Sequence, residues 1–162
     1  MAYPVYAGIE VSLNGTTWYK LTDHNRGQID ISHEVIEKES RMANGTLRKY
    51  VIAKKDIIST SWSFVPAKSN CIVDGNYGGS WLTSFYNANC FVPIHLRVIQ
   101  AKHTDPSINS IPTDNTFVAA QGVQSATGYR QYKVFMTDFQ RTIIKRTKQT
   151  DYLDMSIQFT EI

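Results

Sequence analysis

The chain is poor in cysteine: Cys71 and Cys90 are its only two, in 162 residues. Two thiols are too few for a disulfide scaffold or a cysteine-lined metal cage. No apolar run approaches the ~20 residues of a membrane-spanning helix. The opening MAYPVYAG lacks a basic stretch followed by an apolar core, so no export signal is expected. Folding in the cytosol would leave both thiols reduced, and both are expected to be small buried hydrophobes. Charge of one sign nowhere accumulates, because 17 basic and 14 acidic residues leave a net +3. A nucleic-acid surface needs clustered Lys and Arg. The densest basic run, RTIIKRTK at 141–148, reads as a solvated strand face.

Catalytic signatures are equally scarce. His24, His33, His95 and His103 are scattered. Asp23-His24 and His33-Glu34 are adjacent pairs, and on a strand adjacent side chains point to opposite faces. No metal centre is expected from them. The glycines of DGNYGGS precede a candidate helix, but no Gly-Lys-Ser/Thr follows to cradle phosphate. Neither a Gly-x-Ser-x-Gly elbow nor a Cys–His nucleophile motif is present. No enzyme activity and no cofactor are expected.

What the chain does have is β-formers. Nine Tyr, seven Phe and three Trp accompany 42% hydrophobic residues, which suits pleated, half-buried surfaces. At this length one domain, 1–162, is expected, burying ~70% of the surface of its unfolded chain. In VYAGIEVSL, Val5, Ala7, Ile9, Val11 and Leu13 alternate with smaller or polar residues. Asn14-Gly15 and TTWYKL follow, which predicts a hairpin.

The polar stretch 22–45 predicts a long exposed excursion. Residues 41–66, RMANGTLRKYVIAKKDIISTSWSFVP, predict a long hairpin whose charged tip is Lys54-Lys55-Asp56. On its second arm Ile58, Thr60, Trp62 and Phe64 share one face. Ile57, Ser59, Ser61 and Ser63 share the other, so one side belongs on a core and the other in water. Residues 74–88 predict a helix capped near Ser80, with Trp81, Leu82, Phe85 and Tyr86 as its apolar stripe. The core anchors are therefore Ile58, Trp62, Phe64, Trp81 and Phe85.

A strand is expected in FVPIHLRVIQ (91–100). Residues 103–130 predict a loop or a decorating hairpin. Two closing strands follow, the last with Leu153, Met155, Ile157 and Phe159 alternating against Asp154, Ser156, Gln158 and Thr160. The expected class is mainly β: a sandwich or open barrel with one flanking α-helix and a long β-hairpin.

Three ordered blocks resemble a known family. NGTLRKYVIAKK followed by S-x-SW-x-x-x-P, then VDGNYGGSWLTSFY, then YKVFMTDFQRTIIKRTKQTDYLDMSIQFTEI are similar to the major tail tube proteins of long, non-contractile-tailed bacteriophages. The resemblance covers about residues 41–162 with one gap, and 103–125 matches nothing in it. It implies a tail-tube-type sandwich that self-assembles into rings, usually hexameric. The rings stack into a hollow virion tube around a tape measure protein, and genomic DNA later passes through without specific binding. Terminator and distal tail proteins would be further partners, with no membrane involved.

On this reading Ser59, Ser61, Ser63, Asp154, Ser156, Gln158 and Thr160 are candidates for facing the lumen. Arg41, Asn44, Lys54, Lys55 and Asp56 are candidates for ring stacking, and 22–45 is a candidate assembly loop. Two other classes share these features. One is a tail ring protein of the distal or terminator kind. The other is a carbohydrate-binding sandwich using Trp18, Tyr19, Trp62 and Trp81 as a stacking platform.

Overall fold

The computed structural model describes residues 8–101, 117–119 and 127–162. It is mainly β, with one α-helix among the described residues. Strands β1 (Ile9–Ser12) and β2 (Tyr19–Lys20) form the first hairpin, with Val11 opposite Tyr19. The reversal is wider than a two-residue turn. The Asn14 carboxamide oxygen accepts from the Thr16 and Thr17 N–H groups at 2.9 and 2.8 Å, and Gly15 takes the positive φ of 75°. Ile9 and Val11 are fully buried, but Leu13 has left the strand and is exposed.

The long hairpin is present, with different arms. Strand β3 runs Arg26–Arg41 and β4 runs Leu47–Pro66 without interruption. The expected excursion at 22–45 is therefore mostly a strand, and the expected tip Lys54-Lys55-Asp56 lies in mid-strand opposite Val35, Glu34 and His33. The chain reverses instead at Met42–Thr46. There Met42 N–H donates to the Thr46 carbonyl at 2.9 Å, and Gly45 adopts φ 82°. Glycine takes that conformation at little cost, which is why Asn44-Gly45 outcompetes the charged triplet as a turn.

Four further strands complete the sheet: β5 (Ile94–Ala101), β6 (Phe117–Ala119), β7 (Thr127–Arg146) and β8 (Asp151–Glu161). Of the expected segment 103–130, residues 102–116 and 120–126 lie outside the described residues, and its remaining parts are β6 and the start of β7. The order is β2-β1-β5-β7-β8-β4-β3, with β6 added beside β7 and every named pair antiparallel.

Covalent reach shows that this sheet curls. From Lys20, ending β2 at one edge, to Arg26, opening β3 at the other, the chain spans at most ~20 Å. A flat sheet of this order would separate those edges by ~29 Å. The ends therefore approach one another. The Trp62 indole N–H donates to the Thr22 carbonyl at 2.8 Å, and Ser63 N–H donates to the Asn25 carbonyl at 3.1 Å. Inside the curl lies one hydrophobic cluster. It includes Ile9, Val11, Leu96, Val134, Ile58, Trp62, Val65 and the four alternating residues Leu153, Met155, Ile157 and Phe159.

Helix α1 spans Gly79–Asn89 and packs Leu82 and Phe85 into this cluster. Its cap is Gly78, two residues before the expected Ser80, with no side-chain cap hydrogen bond. Backbone substitutes, because Ser80 N–H donates to the Ala67 carbonyl at 3.1 Å. Close packing explains the glycine pair: a Cβ on Gly79 would sit 2.7 Å from Leu153 Cδ1. Trp81 is only half-buried at the margin of the cluster, where it stacks on Phe85 at 4.9 Å and meets Tyr77 at 4.5 Å.

Phe64 is not a core anchor. Between Trp62 and Val65 the register of β4 against β8 slips by one residue, and Phe64 takes φ 53°. Such a bulge turns the following side chains to the other face. Val65 becomes buried, while Phe64 is 42% exposed and stacks on Tyr152 at 4.5 Å. Nor are the thiols buried: Cys71 and Cys90 are free and partly exposed.

Candidate functional site

Period-two alternation gives the sheet a second face, opposite the core. Because cross-strand partners share a face, the pairs Ser59–Gln158 and Ser61–Ser156 bring four of the seven polar candidates together. Asp30 pairs with Ser59 from β3, while Asp138 and Gln140 pair with Gln158 and Ser156 from β7. With Gln28, all of these except Gln140 line a shallow depression of about 230 Å³ that contains two aspartates and no lysine or arginine.

Thr160 continues this face one step along β8, hydrogen-bonded to Thr137 at 3.0 Å. Asp154 is engaged instead at the bulge, accepting from Phe64 N–H at 2.8 Å. Ser63 sits in the same bulge, exposed. Gln28, Asp30 and Asp138 were not singled out in the sequence. The first two fell in the segment read as a loop, and the signal that could have found them is the alternation QIDIS.

The second feature is the far half of the β3–β4 hairpin. Strand β8 ends at Glu161, and its last partner on β4 is Ile57, opposite Thr160. Beyond that point β3 and β4 pair only with each other among the described residues, from His33–Asp56 out to Arg41–Leu47. The overhang is ~33 Å long, taking the ten residues of β4 from Leu47 to Asp56 at ~3.3 Å each. Its root is tied down. His33 Nδ1 lies 2.5 Å from Asp56 Oδ1, Asp56 N–H donates to Glu161 Oε2 at 2.9 Å, and the Lys55 ammonium donates to the Ile162 carbonyl.

Farther out, the Lys49 ammonium sits 2.6 Å from Glu37, and its pKa is raised. The hydrogen bond to Glu37 is the chief cause, opposed by partial burial and assisted by the charges of Glu37 and Glu39. Even so, the ribbon exposes Val35, Ile36, Met42, Leu47, Val51, Ile52 and Tyr50, with Tyr50 at 72%. A two-stranded ribbon with no third strand or helix behind it is marginally stable in water. Clustered exposed apolar side chains mark a contact surface.

Of the stacking candidates, Arg41 and Asn44 are at the ribbon tip and Lys54, Lys55 and Asp56 near its root. The structure thus separates two groups that the sequence had grouped by role. The aromatic platform does not assemble. Trp62 is buried in the core, Trp81 packs among Tyr19, Tyr77 and Phe85, and the Trp18 ring is covered by the Arg97 guanidinium at 3.7 Å. Among the described residues no group of three or more His, Cys, Asp or Glu gathers in the way a metal site requires. No helix among them is long and apolar enough to cross a membrane.

No protein-family model matches the chain, and no curated protein sequence matches it.

Proposed function

We propose that this chain is a structural subunit of a phage tail tube, assembling with copies of itself into stacked rings that conduct DNA. The observation that carries the proposal is the overhanging β3–β4 ribbon. Its exposed apolar side chains and the outer edge of β3, which has no partner strand among the described residues, make little sense in a solitary molecule. A second copy covers both.

The polar face supports the same reading. A lumen must pass a polyanion without gripping it. Phosphate contacts by Lys and Arg, with release of counterions, are what hold DNA. A wall of Ser59, Ser61, Ser156, Gln158, Asp30 and Asp138 offers no such contacts. The resemblance of residues 41–162 to tail tube proteins points the same way. The tape measure, terminator and distal tail proteins would be the partners in the virion.

Electron microscopy of purified protein at rising concentration tests the proposal. Long hollow tubes are expected. Single rings would make the chain a terminator or distal tail component, and a monomer at every concentration would refute assembly altogether. Within tubes, Ser61→Lys should leave assembly intact and reduce DNA delivery, measured as infectivity of complemented phage. Unchanged infectivity would mean that Ser61 does not face the channel.

A further inference from the structure

The dipeptide Asn-Gly occurs twice, at Asn14-Gly15 and Asn44-Gly45, each time followed by threonine and each time at a reversal between two strands. Asn-Gly carries a reaction of its own. The glycine amide nitrogen attacks the asparagine side-chain carbon Cγ. A new N–Cγ bond closes a succinimide ring, the Cγ–Nδ2 bond breaks, and ammonia leaves with the proton that the glycine nitrogen gave up. Water then opens the ring at either carbonyl. The product is aspartate or, with the chain rerouted through the side chain, isoaspartate. Glycine favours the closure because no Cβ hinders it and the backbone turns freely into the attack geometry. Both pairs read Asn-Gly-Thr, so what separates them is the fold.

Asn14 is held. Its carboxamide oxygen accepts from the Ser12 hydroxyl at 3.2 Å and from the Thr16 and Thr17 N–H groups at 2.9 and 2.8 Å. The attacking nitrogen is engaged too, since Gly15 N–H donates to the hydroxyl of fully buried Ser12 at 2.9 Å. The His95 ring closes over the turn, 3.5 Å from where a Cβ on Gly15 would stand. Ser12 and His95 are cross-strand partners on β1 and β5, so freeing Asn14 disturbs the sheet itself.

Asn44 stands in the open. Its carboxamide oxygen accepts from Thr46 N–H at 3.1 Å, and Gly45 N–H donates to the Met42 carbonyl of the same turn at 2.9 Å. Residues 42–46 are all exposed, and a Cβ on Gly45 would meet nothing within 4 Å. The turn closes a two-stranded ribbon, and such an end opens locally at little cost. A related pair, Asp74-Gly75, is held like Asn14. Its carboxylate accepts from the Thr22 hydroxyl at 3.0 Å, Asp23 N–H at 2.8 Å and Asn76 N–H at 3.0 Å.

We infer that Asn44 is a modification site, where the chain converts spontaneously to aspartate and isoaspartate, while Asn14 is shielded in the same molecule. The product sets a carboxylate in place of a neutral amide. Its isoaspartyl form also adds a backbone carbon inside the reversal that joins β3 to β4. The inference needs only the single chain and stands apart from the assembly reading.

Peptide mapping of the full chain by mass spectrometry tests it, with the protein held folded at mildly alkaline pH and isoaspartate read by an isoaspartyl methyltransferase. Asn44 should convert at least about tenfold faster than Asn14, because the two differ in the cost of local opening. In guanidinium chloride the two rates should converge to within about twofold, because only folded surroundings distinguish them. Ser12→Ala removes one partner from Gly15 N–H and one from the Asn14 oxygen, and should speed Asn14 several-fold while Asn44 keeps its rate. Equal rates in the folded chain, or an Asn14 that reacts first, would overturn the inference. So would a gap that persists undiminished in denaturant, since its origin would then be local sequence rather than the fold.

Discussion

Strands β3 and β4 pass through two environments, and the crossing falls between Ser32–Ile57 and His33–Asp56. On one side they belong to the curled sheet. There β4 alternates strictly, with Ile58, Thr60 and Trp62 buried and Ser59 and Ser61 outside. On the other side the same strands keep their hydrogen bonds but lose their core. Apolar side chains then stand on both faces: Ile36 and Tyr50 on one, Val35 and Val51 on the other. Backbone pairing by itself does not require a buried face, but stable pairing does. The difference teaches that pairing alone carries the ribbon outward, since nothing among the described residues packs on its apolar side chains.

Substitutions can break or sharpen this contrast. The largest effect belongs to the core. Trp62→Ala removes a fully buried indole and its hydrogen bond to Thr22, and should cost about 3–5 kcal/mol in urea unfolding. Phe64→Ala, two residues away, should cost only about 1 kcal/mol, because the bulge has placed that ring on Tyr152 at the surface. Equal costs would mean that the bulge is absent.

Asp74 gives a smaller, pH-dependent effect. Burial pushes its carboxyl up, but Asn76 N–H, Asp23 N–H and the Thr22 hydroxyl outweigh that and hold it below 3.8. A lowered folded value contributes stability that is whole above about pH 4 and fades as pH falls through the folded value. The advantage of wild type over Asp74→Asn in melting temperature should therefore shrink on acidification toward that value. A constant gap would refute the linkage. Smallest of all for the folded chain is the pair Tyr50→Ser and Ile52→Ser on the ribbon. Unfolding free energy should change by no more than about 0.5 kcal/mol for each, while assembly in light scattering is lost. A large loss of monomer stability would show that the ribbon already packs on its own body.

The sequence made some elements plain and hid others for one physical reason. Strand β8 was legible because Leu153, Met155, Ile157 and Phe159 face a core and their neighbours do not. Strand β3 was not, because HEVIEKES lies mostly where neither face is buried, so no alternation is imposed on it. The charged triplet Lys54-Lys55-Asp56 resembled a turn because it sits where β4 leaves the core: Lys54 is in water, while Asp56 is buried and held by His33 and Glu161. Asn44-Gly45 was the better turn signal, because Gly45 takes its positive φ at little cost.

By itself the sequence determined the chemistry of each strand: which residues alternate, where glycine permits a reversal, and that Ser59, Ser61, Ser156 and Gln158 alternate with apolar residues or threonine rather than with lysine or arginine. Only the tertiary structure decided that β3 and β4 outrun their sheet, that Phe64 turns outward while Val65 turns in, and that Asp30 and Asp138 join one polar face. Alternation is a local property of the chain. Which neighbour a strand has, and where that neighbour ends, depends on contacts between residues far apart in sequence, and no single segment encodes them.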